Sequence, residues 1–188
     1  AVMFGHNVTM LNNLFADNQG TSSYGLLIKE LQYSKIHGNC FLNNTVGLLV
    51  DGGSDLNIHQ NEIRDNGWGI RLISASTNDT IYRNNFMGNT FDMTTNVSYN
   101  RNRVDGNYWD KYEGYDLNKD GRGDVPFHPL SLFSVLAEQD ETVLLFFRSF
   151  LMNLLDATEK LLPTITPDNY VDHTPPMKPL KISPSPST

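Results

Sequence analysis

The pattern Asn-x-apolar-x-x-Asn occurs five times in the first 107 residues of this chain. It reads "NLFADN" from Asn13, "NCFLNN" from Asn39, "NEIRDN" from Asn61, "NNFMGN" from Asn84 and "NRVDGN" from Asn102. The leading asparagines are 26, 22, 23 and 18 residues apart. A second register travels with the first: "GLLI" at Gly25, "GLLV" at Gly47 and "GIRL" at Gly69 precede their asparagines by 14, 14 and 15 residues. Three places before each leading asparagine stands Met10, Ile36, Ile58, Ile81 or Tyr99. Few folds tolerate so regular a spacing of short apolar pieces, because no single repeat can bury its own apolar side chains.

A period near 22 with glycine, β-branched residues and alternating polarity predicts an all-β chain, a right-handed parallel β-helix or solenoid. Phe15, Phe41, Ile63, Phe86 and Val104 form one expected inward column. Leu26, Leu48 and Ile70 form another, with Ile28, Val50 and Leu72 beside them. Coils would lie about 4.8 Å apart, the ordinary strand spacing. The asparagines fall at coil corners, where they tolerate left-handed backbone angles and can bond in ladders. A leucine-rich repeat shares the period but needs a leucine-dominated consensus, which is lacking. Val2 aligns with Ile28, so the chain is expected to open inside a strand, as an N-terminally truncated fragment with at least one further coil before it.

Four stretches follow from changes of pattern: coils over 1–107, a cap over 108–130, apolar docking helices over 131–162 and an extended or disordered tail over 163–188. In the cap, Tyr108, Trp109 and Tyr112 could cover the last coil or form a carbohydrate-stacking platform. From Asp140 to Leu162 the periodicity becomes helical, with acidic residues in the first turn, as the helix dipole favours, and Pro163 as a stop. Val143, Leu144, Phe147, Phe150, Leu151, Leu154, Leu155 and Leu162 make a wide apolar stripe. Its partner is either the β-helix itself or a membrane protein or surface. The tail concentrates prolines and reads as a solvated terminus or as a strap around "NYVDHTPPMKPL".

The cap holds "DLNKDGRGDVPF". Asp116, Asn118, Asp120 and Asp124 take positions 1, 3, 5 and 9 of a calcium loop, Gly121 takes the turn position and the Arg122 carbonyl position 7. Phe127 replaces the bidentate glutamate at position 12. The two readings are a structural calcium site and an unmetallated turn. Copper would prefer sulfur and imidazole. Met3 and His6 are close in sequence, and His37 and His59 sit at equivalent places on adjacent coils. That pair would share a metal or form a plain surface ladder.

No catalytic residue is assigned. Asp51, Asp55, Glu62, Asp65 and Asp79 supply carboxylates of the kind used by carbohydrate-active β-helices, but they are scattered along turns. No phosphate loop or Ser-His-Asp elbow occurs. A net charge of −7 gives no footprint for nucleic acid. A single cysteine, Cys40, excludes an intrachain disulfide. No apolar run reaches the roughly 18 residues of a spanning helix.

The succession of asparagine-rich coils, "GNYWDKYEGYDLNKDGRGDVPFHP", the leucine-rich helical stretch and "VDHTPPMKPL" resembles the C-terminal part of the NosD family, accessory proteins of nitrous oxide reductase maturation. The resemblance implies a periplasmic location and partnership with an ABC-transporter permease and its ATPase. It implies a non-catalytic scaffold handling copper or sulfur during assembly of the reductase's copper–sulfur centre, with a copper chaperone or the reductase as further partners. Membrane contact would be peripheral, through the permease, and Leu144, Phe147, Leu151 and Leu155 would be the docking residues. A carbohydrate-active or carbohydrate-binding protein and a cell-surface binding module are the competing readings.

Overall fold

The structure, a computed structural model, describes residues 1–74, 76–96, 101–131, 134, 136–137 and 170–182. Its strands form three parallel five-stranded sheets. The first contains β1 (Val2–Met3), β4 (Tyr24–Lys29), β7 (Val46–Asp51), β10 (Trp68–Ile73) and β13 (Phe91–Thr95). The second contains β2 (Thr9–Leu11), β5 (Lys35–His37), β8 (Asn57–His59), β11 (Thr80–Tyr82) and β14 (Arg103–Asp105). The third contains β3 (Leu14–Ala16), β6 (Cys40–Leu42), β9 (Glu62–Arg64), β12 (Asn85–Met87) and β15 (Tyr108–Trp109). Each strand pairs with its counterpart one coil away, which makes the chain a parallel β-solenoid.

The core is a set of stacked columns. Leu26, Leu48, Ile70 and Met93 are in register, with Ile28, Val50 and Leu72 beside them. Met10, Ile36, Ile58, Ile81 and Val104 form the second column, and Phe15, Phe41, Ile63, Phe86 and Trp109 the third. Within the third column the Phe15–Phe41 rings stack at 5.1 Å and Phe86–Trp109 at 4.2 Å. The expected place of Val104 is therefore corrected: it sits on Ile81, and Trp109 takes the position assigned to it. The leading asparagine of the last coil is Asn107, 23 residues after Asn84, rather than Asn102. Val104, three places before Asn107, takes the place in the column of Met10 and Ile36 that the 18-residue step gave to Tyr99, which lies outside the described residues.

The repeated glycines Gly25, Gly47 and Gly69 have a steric cause. A Cβ on each would lie 2.7, 2.8 and 2.5 Å from the carbonyl oxygen of the neighbouring coil, inside van der Waals contact. Any larger residue would push coils apart.

Three corners carry ladders, two of asparagine and a third that Leu56 interrupts. In the first, Asn61 is fully buried. Its Oδ1 accepts from Asn39 N at 3.0 Å and Asn39 Nδ2 at 3.1 Å, and its Nδ2 donates to Ile36 O at 2.8 Å and Asn84 Oδ1 at 3.0 Å. Asn13, Asn39, Asn84 and Asn107 belong to the same series. The second ladder is Asn18, Asn44, Asn66 and Asn89. The third is chemically mixed: Val8 N donates to Ser34 Oγ, Leu56 N to Asp79 Oδ1 and Asp79 N to Asn102 Oδ1.

The ladder asparagines do not themselves adopt the left-handed conformation expected of them. In the first two ladders the residue before each one does. Asn12, Gly38, Gln60, Arg83 and Gly106 precede the first ladder with φ of 55, 65, 52, 54 and 62°, and Asp17, Asn43, Asp65 and Gly88 precede the second with φ of 60, 52, 58 and 64°. A single left-handed residue turns the chain, so the next side chain can point inward along the corner and bond the coil above.

Of the predicted docking helices over 131–162, only residues 131, 134, 136 and 137 are described. Leu144, Phe147, Leu151 and Leu155 lie outside the described residues.

Candidate functional site

The C-terminal end of the solenoid gathers the residues with the most demanding chemistry. Asn107 is the last asparagine of its ladder, with no further coil among the described residues to accept its amide. Asp172, 65 residues on, fills that place. One carboxylate oxygen accepts Asn107 N at 2.8 Å and Trp109 Nε1 at 3.0 Å, and the other accepts Gly106 N at 2.8 Å and Thr174 N at 3.2 Å. Asp172 is fully buried. A carboxylate offers only acceptors, which suits a site lined by donors.

Residues 170–182 spread from that point as a strap. Tyr170 is buried, and its hydroxyl accepts from Asn102 Nδ2 at 3.1 Å. The backbones of Asp172 and Phe127 exchange two hydrogen bonds of 2.8 and 2.9 Å in an antiparallel bridge. Gly123 N bonds Pro175 O at 2.8 Å and Met177 N bonds Gly121 O at 2.9 Å, forming a second bridge between Arg122 and Pro176. On the third sheet, Asn85 clasps the backbone of Leu180 through both its amide atoms, each at 2.9 Å. Asp172, Tyr170 and Asn85 were not legible as functional positions. The available signal was an unfilled acceptor position after Asn107.

The acidic loop is the strap's other anchor. Asp116 accepts from Asp120 N at 3.2 Å and Gly121 N at 2.9 Å; Asp120 accepts from Arg122 N at 2.8 Å; Asp124 accepts from Leu117 N at 2.6 Å. Asn118 Oδ1 accepts from Asp120 N at 3.0 Å, and the Arg122 guanidinium reaches Thr174 Oγ1 at 3.0 Å. Gly121 turns the chain at φ 86°. Gly114 and Gly123 leave room for Tyr112, whose hydroxyl would lie within 2.0 Å of a Cβ on either. Phe127, at the position of the missing glutamate, packs 5.9 Å edge-on to Tyr112 and 5.2 Å from Trp109. The loop is thus closed by its own amides and capped by aromatic rings.

On the second sheet, His37 and His59 stack at 4.8 Å with planes 5° apart, and Tyr82 continues the stack at 4.8 Å. Burial, with His37 beside it, holds His59 below the ordinary imidazole range. Met3 is exposed on the first sheet, paired with Lys29, and His6 is bridged to Gln32 at a corner. The four copper candidates therefore come from three different faces, and only His37 and His59 meet. Among the described residues, no three His, Cys, Asp or Glu side chains converge to hold a metal ion.

Two buried carboxylates stand out. Burial pushes Asp79 up to about 6 despite hydrogen bonds from Ser76 and Leu56 N, and Asp55 adds to the rise. Asp92 is also raised by burial, offset by Lys111, whose Nζ lies 3.2 Å away. Both serve the framework: Asp79 lies in the third ladder, and Asp92 accepts from Asn89 at the end of the second. The Asp79 carboxyl binds its proton more tightly folded than unfolded. Stability is therefore expected to fall as pH rises from 3.8 through about 6, by up to about 3 kcal/mol. Asp79→Asn should remove that loss. Urea unfolding should show the variant about 2–3 kcal/mol more stable than the parent at pH 7, with the gap closing near pH 4; an equal gap at both pH values would contradict the assignment.

Residues 1–114 match the family described as NosD, periplasmic copper-binding protein. The chain belongs to the NosD family. Two curated NosD-family relatives are similar over nearly all of it. The probable ABC transporter binding protein NosD of Stutzerimonas stutzeri is 28% identical over 95% of this chain and 44% of its own length. The protein of the same description from Pseudomonas aeruginosa is 27% identical over 91% of this chain and 43% of its own length. The chain thus spans less than half the length of these relatives.

Proposed function

We propose that this chain is part of a periplasmic, non-catalytic accessory protein bound to an ABC transporter. Its permease and ATPase would be the partners, and the assembly would serve formation of the copper–sulfur site of nitrous oxide reductase. Membership of the NosD family, with relatives named as probable ABC transporter binding proteins, carries this reading. The fold is compatible with it: a stiff rod of ladders and stacked rings suits a scaffold. Copper or sulfur is the cargo class, and a copper chaperone or the reductase is a further partner. The apolar row Leu144, Phe147, Leu151 and Leu155 would meet the permease, because so apolar a stripe needs a surface to cover it. The acidic loop serves as a structural clip for the strap; calcium there would act only as an additional tie.

The test uses the full-length protein with those four residues changed to serine, expressed in place of the parent. The reductase should then accumulate without its copper–sulfur centre, read from its visible absorption spectrum. A normal spectrum at normal levels of the variant would defeat the docking assignment.

A further inference from the structure

The outward face of the first sheet is apolar where a solvated solenoid face would be polar. Tyr24, Val46, Trp68 and Phe91 are in register along one outward column, and Leu27, Leu49, Arg71 and Thr94 along the next. Side chains that point away from the core should be open to water. Instead Val46 is 2% exposed, Leu49 5%, Phe91 7% and Thr94 0%. Burial is greatest on β13, next to the point where the chain after the cap arrives. There Thr94 Oγ1 donates to Ser134 O at 3.2 Å, and Ser134 and Ala137 are themselves buried. The second sheet contrasts: its outward positions carry Lys35, His37, Asn57, His59 and Arg103, none of them buried.

We propose that this face is the seat of the chain's own apolar segment between residues 138 and 162. Two observations select that occupant over a separate molecule. The chain leaves the described structure at Ala137, beside β13, and returns at Tyr170, whose hydroxyl bonds Asn102 on the corner between the first and second sheets and Thr95 at the end of β13. The described residues on either side of the intervening segment therefore both lie next to this sheet. Their sequence also carries more apolar surface than one contact uses. At helical spacing, Val143, Phe146, Phe150 and Leu154 form a row beside that of Leu144, Leu151 and Leu155. In this proposal the first row would cover the first sheet, and the second would be left for a partner. The contact is intramolecular and stands whether or not a transporter binds.

Photo-crosslinking of the purified full-length protein, without transporter, tests this. With p-benzoylphenylalanine in place of Leu49, mass spectrometry should find crosslinks to the peptide spanning 141–157. Phe146→Asp together with Phe150→Asp should lower their yield about tenfold. The same probe at Leu27 provides a second reading should the first variant unfold. Crosslinks to a second copy, crosslinks to another part of the chain, or a yield no higher than from the probe at Asn57 on the second sheet would each overturn the proposal.

Discussion

Asn61→Ala is expected to lower the free energy of unfolding by about 3–5 kcal/mol, among the larger single-residue effects in this molecule. The side chain makes four hydrogen bonds, two as acceptor and two as donor, and none of its partners can turn to water. Truncation leaves the Asn39 amide, the Ile36 carbonyl and one lone pair of Asn84 Oδ1 short of partners inside the core. Each such group costs about 1–3 kcal/mol, and partial relaxation keeps the sum below the simple total. Asn61→Asp separates the acceptor role from the donor role: it keeps the contact to Asn39 but sets a carboxylate against Asn84 Oδ1 and Ile36 O. It should be at least as damaging at pH 7 and milder at pH 3. Chemical denaturation of the three proteins checks the order. A loss below about 1 kcal/mol for Asn61→Ala would mean that apolar stacking alone holds the coils together.

Asp172→Ala should be comparably severe, and its consequence should be local first. Removing the carboxylate strands the amides of Gly106 and Asn107 and the Trp109 indole, all within the last coil. A loss of about 3–5 kcal/mol is expected, because the acceptor is charged and buried. Hydrogen exchange should accelerate at Gly106–Trp109 and across the strap at Gly123 and Met177. The amides of β7 and β8, at the middle of the solenoid, should change much less, since coils couple mainly to their neighbours. Uniform acceleration along the whole chain would contradict the cap role. Asp172→Asn is informative beside it. Its Oδ1 could replace one acceptor, as the asparagines do in every other coil, but its amide would face the remaining donors. Partial loss is the expected result.

The coil register from Asn13 to Asn89 was legible because two constraints repeat together: an inward apolar residue and a corner amide that must bond its neighbour. The last repeat was read five residues early because "NRVDGN" satisfies the same pattern. Asn102 is a ladder residue too, but on the third corner, where Ser34 and Asp79 do the same work with different atoms. Chemical equivalence between corners hid the shift, and the 18-residue step was its only trace. The left-handed residues were also misplaced by one position. Gln60 and Arg83 carry no compositional mark of φ near 52–54°, so their strain is imposed by the stack.

A strap around "NYVDHTPPMKPL" was one of two open readings, and its anchor was harder to read. Asp172 and Asn107 are 65 residues apart and belong to no shared repeat. Periodicity speaks only to residues that repeat, so a one-off terminator leaves no pattern. The acidic loop shows the converse. Its spacing suggests a cation, and what the spacing could not show is that the same oxygens accept the loop's own amides and that Gly114 and Gly123 make room for Tyr112. The histidine pair was legible as a stack because equivalent positions on adjacent coils must lie about 5 Å apart.

The functional reading rests on partnership with a transporter, and affinity purification measures it most directly. The full-length protein, tagged and isolated under gentle detergent from cells expressing the permease and ATPase proposed as its partners, should bring down both in fixed proportion. Recovery of the tagged protein alone, while permease and ATPase still copurify with each other, would contradict the account.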